Sequence, residues 1–135
     1  QQAKTSQSAP GALYYGNPNS QNFDFGASKG TATSPSIAVP ANANAKLSLQ
    51  AWLDTEGGLP YDALTVSIVA DGGSTKIWDK TQGFPMGQWF AIEANLANYA
   101  GKSIQVMIVF DTVDSIANQG TGVLIDDVAV VNSCP

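Results

Sequence analysis

Seven of the eleven acidic residues fall into three short patches: Asp54, Glu56 and Asp62; Asp111 and Asp114; and the adjacent pair Asp126 and Asp127. Carboxylates placed like this suit two kinds of chemistry. A facing pair can serve as general acid and nucleophile or base, as in glycoside hydrolysis, with Asp54, Glu56, Asp62, Asp111 and Asp114 as the pool. That chemistry also needs a cleft holding several sugar-ring contacts. Alternatively, clustered carboxylates can hold a hard cation. Calcium takes about six to eight oxygens from carboxylates, carbonyls, Asn side chains and water. Asn118 and the backbone carbonyls of Gly120 or Gly122 could complete such a shell around Asp126, Asp127, Asp111, Asp114, Asp54 or Glu56. The spacing does not match an EF-hand loop. Without a metal, the same residues form an acidic loop end hydrogen-bonded through Thr55 and Thr112.

Other chemistries are closed by composition. The chain has no histidine, so it can build neither a Ser-His-Asp nor a Cys-His device, nor a His-bearing zinc site. It has no arginine, hence no bidentate clamp for carboxylate or phosphate, and no glycine-rich phosphate loop. A net charge of -5 argues against a nucleic-acid partner. Cys134 is the single cysteine, either a free thiol or half of a disulfide to sequence not present here. Among the aromatics, Trp52, Tyr61 and Phe84 are the candidates for stacking on a ligand. Tyr61 and Phe84 lie in loops, and Trp52 lies opposite a leucine face.

The elements that must position these residues read as short strands. Leu47, Leu49, Ala51 and Leu53 alternate with Ser48, Gln50 and Trp52, a half-buried strand. Leu64, Val66, Ile68 and Ala70 return beside it, and Asp71-Gly72-Gly73 turns the chain into a hairpin. Ile104, Val106, Ile108 and Phe110 give another clean apolar face. Asn22 to Phe25 reads as a short extended piece. Gly30 to Pro40 reads as an edge strand interrupted by Pro35. Glu93 to Tyr99 is the only helical candidate, too short to carry a fold. Thr121 to Val131 is a β-branched run with Asp126 and Asp127 in its middle. One of the two must point inward, and would need hydrogen-bond donors, a cation, or a bulge turning it back to water. Together these predict an all-β, antiparallel two-sheet sandwich of about eight or nine short strands.

The 135 residues suit one domain, expected over residues 12–135 behind a flexible polar lead-in at 1–11. No apolar run is long enough for a transmembrane helix. No signal peptide is present, and a start at Gln1 reads as a mature or excised fragment.

Several segments resemble a known family in order. They are Gly26 to Pro35, Leu49 to Glu56, Tyr61 to Val66, Trp89 to Val106, Phe110 to Asp114 and Gly122 to Val128. Together they resemble the MAM-like, concanavalin-like accessory domain of secreted bacterial peptidases of the immune inhibitor A type. The resemblance covers roughly Tyr14 to Val131. It implies a jelly roll, a bacterial secreted or cell-surface location, and a non-catalytic role in adhesion or partner binding. It also implies a structural calcium near the last strand, with Asp126 and Asp127 as first ligands. The paired cysteines of eukaryotic members are missing here.

The expected function is therefore a non-catalytic extracellular binding or adhesion module stabilised by structural calcium, not an enzyme. Its partner would be an extracellular glycan or protein, and the domain a monomer or part of a larger secreted protein. The alternatives are a carbohydrate-binding module of a secreted enzyme and a small carboxylate-pair glycoside hydrolase.

Overall fold

A computed structural model describes residues 6–41 and 44–132. Cys134 and the first five residues of the expected lead-in lie outside them. Nine strands occur among the described residues: β1 (Leu13–Tyr15), β2 (Lys29–Thr33), β3 (Ile37–Ala38), β4 (Ala45–Asp54), β5 (Ala63–Ala70), β6 (Gly73–Asp79), β7 (Trp89–Asn95), β8 (Ser103–Asp111) and β9 (Gly122–Asn132). One sheet has the order β1-β9-β4-β7, the other β2-β8-β5-β6, with β3 also pairing β8. Every pairing is antiparallel. Counting β2 and β3 as one edge strand broken around Pro35, this is the strand order of a jelly roll. No described helix is long and apolar enough to cross a membrane.

The alternation explains the packing. Leu47, Leu49, Ala51 and Leu53 of β4 are fully buried and face Leu64, Val66, Ile68, Ile104, Val106 and Phe110 of the other sheet. Each of these side chains larger than alanine contributes roughly 1.5–3 kcal/mol by leaving water. The hairpin turn at Asp71 and Gly72 has both residues at positive φ (52° and 76°), the twist that suits a two-residue connection.

The last strand resolves the problem of its two carboxylates. Ser48 pairs with Ala129 and Gln50 with Asp126, so Asp127 and Val128 together oppose Leu49 in a β-bulge. Asp127 takes φ 50° there, and both carboxylates reach the surface. Asp126 accepts from the Ser8 N–H (2.9 Å), and Asp127 from the Ser8 hydroxyl (2.6 Å). Partial burial pulls the Asp126 pKa upward, but hydrogen bonds from the Ser8, Asp127 and Gln7 backbones outweigh it and hold the group below its ordinary value. The described part of the lead-in is thus docked on β9.

Two local expectations are corrected. Asn22 to Phe25 is not a strand: Asn17 and Asn22 form an isolated bridge, and the Phe23 ring plugs the core against Phe110 (5.6 Å between centroids). Asn22 favours this turn because its side chain accepts from the Asp24 N–H (3.3 Å). The short helical candidate is strand to Asn95, followed by a single 3-10 turn at Ala97–Tyr99.

Candidate functional site

The strand order brings four connections to one end of the sandwich: 16–28, 55–62, 80–88 and 112–121. Strands β4 and β8 both finish there, so Asp54 and Asp111 do head loops at the same end. Asp79 begins the assembly. Its carboxylate accepts from the Thr81 N–H (2.9 Å) and caps the 3-10 turn Lys80–Gln82. Lys76 sits 2.5 Å from the same carboxylate, and with Thr81 it draws the Asp79 pKa down to about 2.

That turn drives Lys80 inward until only 5% of it is exposed. Its ammonium donates to the Glu56 and Tyr61 carbonyls, the second at 3.0 Å, and lies 5.9 Å from the centre of the Phe84 ring. Burial lowers the Lys80 pKa, against the pull of Asp62 and Glu56. Asp62 is 1% exposed at φ 49°, with its N–H on the Thr112 carbonyl (3.3 Å). One carboxylate oxygen, Oδ2, accepts from the Glu56 N–H (2.7 Å). The other, Oδ1, has no hydrogen-bond partner. Burial raises the Asp62 pKa, more strongly than the Glu56 N–H and Lys80 lower it.

The connection 112–121 closes over this loop. Thr121 N–H donates to Asp54 (2.9 Å), and Gly120 lies so close to the Asp54 carbonyl that a Cβ there would collide with it. Thr112 is buried and exchanges hydrogen bonds with Ser28: its hydroxyl accepts from the Ser28 N–H (2.8 Å) and donates to the carbonyl (3.2 Å). Asn118 is fully buried, and its amide donates to the carbonyls of Asp114 (3.3 Å) and Gly26 (3.5 Å). Its Oδ1 has no partner, nor has the hydroxyl of Thr55.

The six carboxylates expected to hold metal are distributed over two places. Asp54, Glu56, Asp111 and Asp114 stand at the loop end. There Asp111 pairs with Lys29 (3.2 Å) and accepts from the Val113 N–H (2.9 Å), while Asp114 accepts from the Ile116 N–H (2.8 Å). Asp126 and Asp127 are elsewhere. Asp54 pairs with Gly122, so Asp126 lies four residues, roughly 13 Å, along β9. No three of the described His, Cys, Asp or Glu residues converge closely enough to hold an ion by themselves.

The aromatic candidates also separate. Trp52 belongs to a row across the outer face of the four-stranded sheet: Tyr14 on β1 faces Leu124 on β9, which faces Trp52 on β4, which faces Trp89 on β7. Tyr14 and Leu124 are buried with Ala12 under the two half-buried indoles, in a cluster separate from the main core. The Tyr14 hydroxyl donates to the Thr121 carbonyl (2.7 Å). The indoles meet edge to face at 5.9 Å and 65°. Tyr61 is 37% exposed at the loop end. Phe84 packs on Phe90 (6.0 Å) and against the core. An apolar cavity of about 170 Å³ opens at the edge between β1 and β2, lined by Tyr15, Leu64, Ile108, Phe110, Val123 and Ile125 among others.

The sequence reading did not single out Lys80, nor the joining of Tyr14 and Trp89 to Trp52. Lys80 carries no local signal, because the carbonyls that receive its ammonium, those of Glu56 and Tyr61, lie 24 and 19 residues away in the 55–62 connection. The Trp row was within reach, since Trp52 and Trp89 open or close neighbouring strands on matching faces. No protein-family model matches the chain, and no curated protein matches it, so the site rests on its own geometry.

Proposed function

We propose that this domain is a non-catalytic, extracellular binding module of the adhesion type, stabilised by a structural cation, and that it contacts a protein partner through the Trp52 face. The observation that carries this reading is the row Tyr14–Leu124–Trp52–Trp89 on the outer face of the four-stranded sheet, where two half-buried indoles pack on buried Tyr14 and Leu124. Half-buried tryptophans braced from below are the residues that anchor protein interfaces, because they offer large area with little side-chain entropy left to lose. Polar Gln50 and acidic Glu93 and Asp126 flank the stripe as a rim. The carboxylates support a non-catalytic role: Asp54, Asp79, Asp111, Asp114 and Asp126 each accept a backbone N–H that shapes a loop or turn.

A carbohydrate partner is the second reading, favoured by the exposed Tyr61 ring beside the polar loops. Against it, the two indoles stand 65° apart and cannot form one flat platform for a sugar. Immobilised matrix proteins and a glycan array, probed with the domain and with Trp52→Ala, Trp89→Ala and Tyr61→Ala, separate the two. Retention on a protein that drops at least tenfold in either Trp variant, and not in Tyr61→Ala, supports the proposal. Glycan binding lost in Tyr61→Ala overturns it, and turnover of a glycoside would overturn the non-catalytic reading itself.

A further inference from the structure

We propose that the open edge of β2 accepts an extended segment of a partner protein as an added strand, with one apolar side chain of that segment filling the cavity beside Ala32. The inference goes beyond the Trp52 face and does not depend on it.

β2 is the outermost strand of its sheet, with β8 on one side and no strand on the other among the described residues. Its hydrogen bonds show which backbone groups are unused. Thr112 N–H donates to the Ser28 carbonyl (3.0 Å) and Ser34 N–H to the Val106 carbonyl (2.9 Å), so the even-numbered residues from 28 to 34 bond toward β8. Lys29, Thr31 and Thr33, between them, turn their N–H and C=O groups outward, and all three residues are exposed. A row of such groups is a template for another strand.

The inner face of the same strand is the reason for the cavity. Where β8 carries Ile108 and Phe110, β2 opposes them with only Ala32 and Gly30. The Tyr15 ring takes the space over Gly30, so closely that a Cβ there would collide with it. Beyond it an apolar cavity of about 170 Å³ remains between the sheets, walled by Leu64, Ile108, Phe110, Val123 and Ile125. A dry space of about 150 Å³ takes a benzene-sized group, whereas sites for drug-sized ligands begin at about 300 Å³. The cavity therefore suits one side chain, which would restore the contacts an apolar void forfeits. A strand bonded to Thr31 and Thr33 puts its side chain opposite Ala32 on this inner face, since directly paired residues share a face. In such additions the main chain supplies affinity and the pocket supplies selectivity.

The occupant comes from another protein. A second copy pairing through its own β2 would bring Gly30 or Ala32 to the cavity, and neither fills it. The residues of this sequence outside the described ones, 1–5, 42–43 and 133–135, include no Val, Leu, Ile, Met or aromatic residue. Charge narrows the chemistry. Lys29 is already paired with Asp111 (3.2 Å), leaving Thr31 and Thr33 to meet the segment's outward side chains. The fitting segment is uncharged, alternating Ser or Thr with a large apolar residue.

The test is titration of the isotope-labelled domain with peptides Thr-Ser-Thr-X-Thr-Ser-Thr, where X is Ala, Val, Leu or Phe, followed by amide shifts and amide hydrogen exchange. Saturable shifts centred on β2 are expected, with slowed exchange at the Thr31 and Thr33 amides. Leu or Phe at X should bind at least tenfold tighter than Ala. Ala32→Leu fills the cavity from within and should remove that preference. Thr31→Pro deletes an outward donor without touching the bonds to β8, and should weaken every peptide at least tenfold. If Thr31→Pro fails to fold, N-methylation of the two Thr residues beside X carries the same test, because they face Thr31 and Thr33. No saturable shift at β2 with any peptide overturns the proposal. Equal affinity across the four peptides overturns the role of the cavity. Occupancy by benzene with no response to the peptides makes this a small-molecule pocket and overturns the added strand. Each of these results leaves the Trp52 face to be judged by its own variants.

Discussion

The two ends of this sandwich solve the same problem in different ways. At one end, strands are joined by the two-residue turn at Asp71 and Gly72 and by the 3-10 turn after β7. Among the described residues of these turns no polar side chain is buried, and the local ion pair, Lys102 to Asp71 at 2.7 Å, is exposed. At the other end four longer connections cross one another, and five polar residues are buried among them: Thr55, Asp62, Lys80, Thr112 and Asn118. The short end is held by dihedral preference. The long end is held by donors and acceptors that must find each other across the chain, so single side chains matter more there.

That contrast can be broken. The largest effect expected is from Lys80→Met, which keeps the bulk and removes the ammonium. The Glu56 and Tyr61 carbonyls lose their donor and Asp62 its nearest positive charge, a loss of about 3 kcal/mol in a denaturant melt. At the short end, Gly72→Ala forces a Cβ into φ 76° and should cost only about 1 kcal/mol. If Gly72→Ala proves the costlier change, the two ends are not distinguished in this way.

Acid unfolding sharpens the comparison with the smallest signal. Asp79 is held at about 2 against an ordinary 3.8, so its contribution is present above pH 3.8 and is lost as the pH falls toward 2. Asp62 has the opposite sign. Its folded pKa is raised, so the folded chain binds the proton first, and acidification relieves the cost of its buried charge. In EDTA, Asp79→Asn should therefore flatten the fall in melting temperature between pH 4 and 2. Asp62→Asn should steepen the fall below neutral pH. A parallel set of curves would show that neither group is linked to folding.

The sheets were legible in the sequence because alternation is local. Leu47 to Leu53 and Ile104 to Phe110 announce their inward faces residue by residue, and Asp71-Gly72 announces its turn. Asp54 and Asp111 each close an apolar-faced strand, and the strand order brings the loops they head to one end. What was not legible depends on residues far apart in the chain. Phe23 reads as part of an extended piece, yet it fills the core because Phe110 waits opposite, 87 positions along. Asp126 and Asp127 read as a burial problem, and only the pairing of Gln50 and Ser48 with β9 shows the bulge that removes it. The partnerless oxygens of Asp62, Asn118 and Thr55 are invisible until the loops are folded over one another.

The position of β1 has a mechanical meaning. It is three residues long and lies antiparallel to β9, so among the described residues the chain enters β1 from, and leaves β9 toward, the side opposite the four long connections. A pull applied between residues 6 and 132 would load the Ser8 contacts to Asp126 and Asp127. It would then peel β1 from β9 one pair at a time, without loading the other strands in shear. Under tension the module should give way early at this seam, uncovering Leu124 beneath Tyr14, while the loop end keeps its shape.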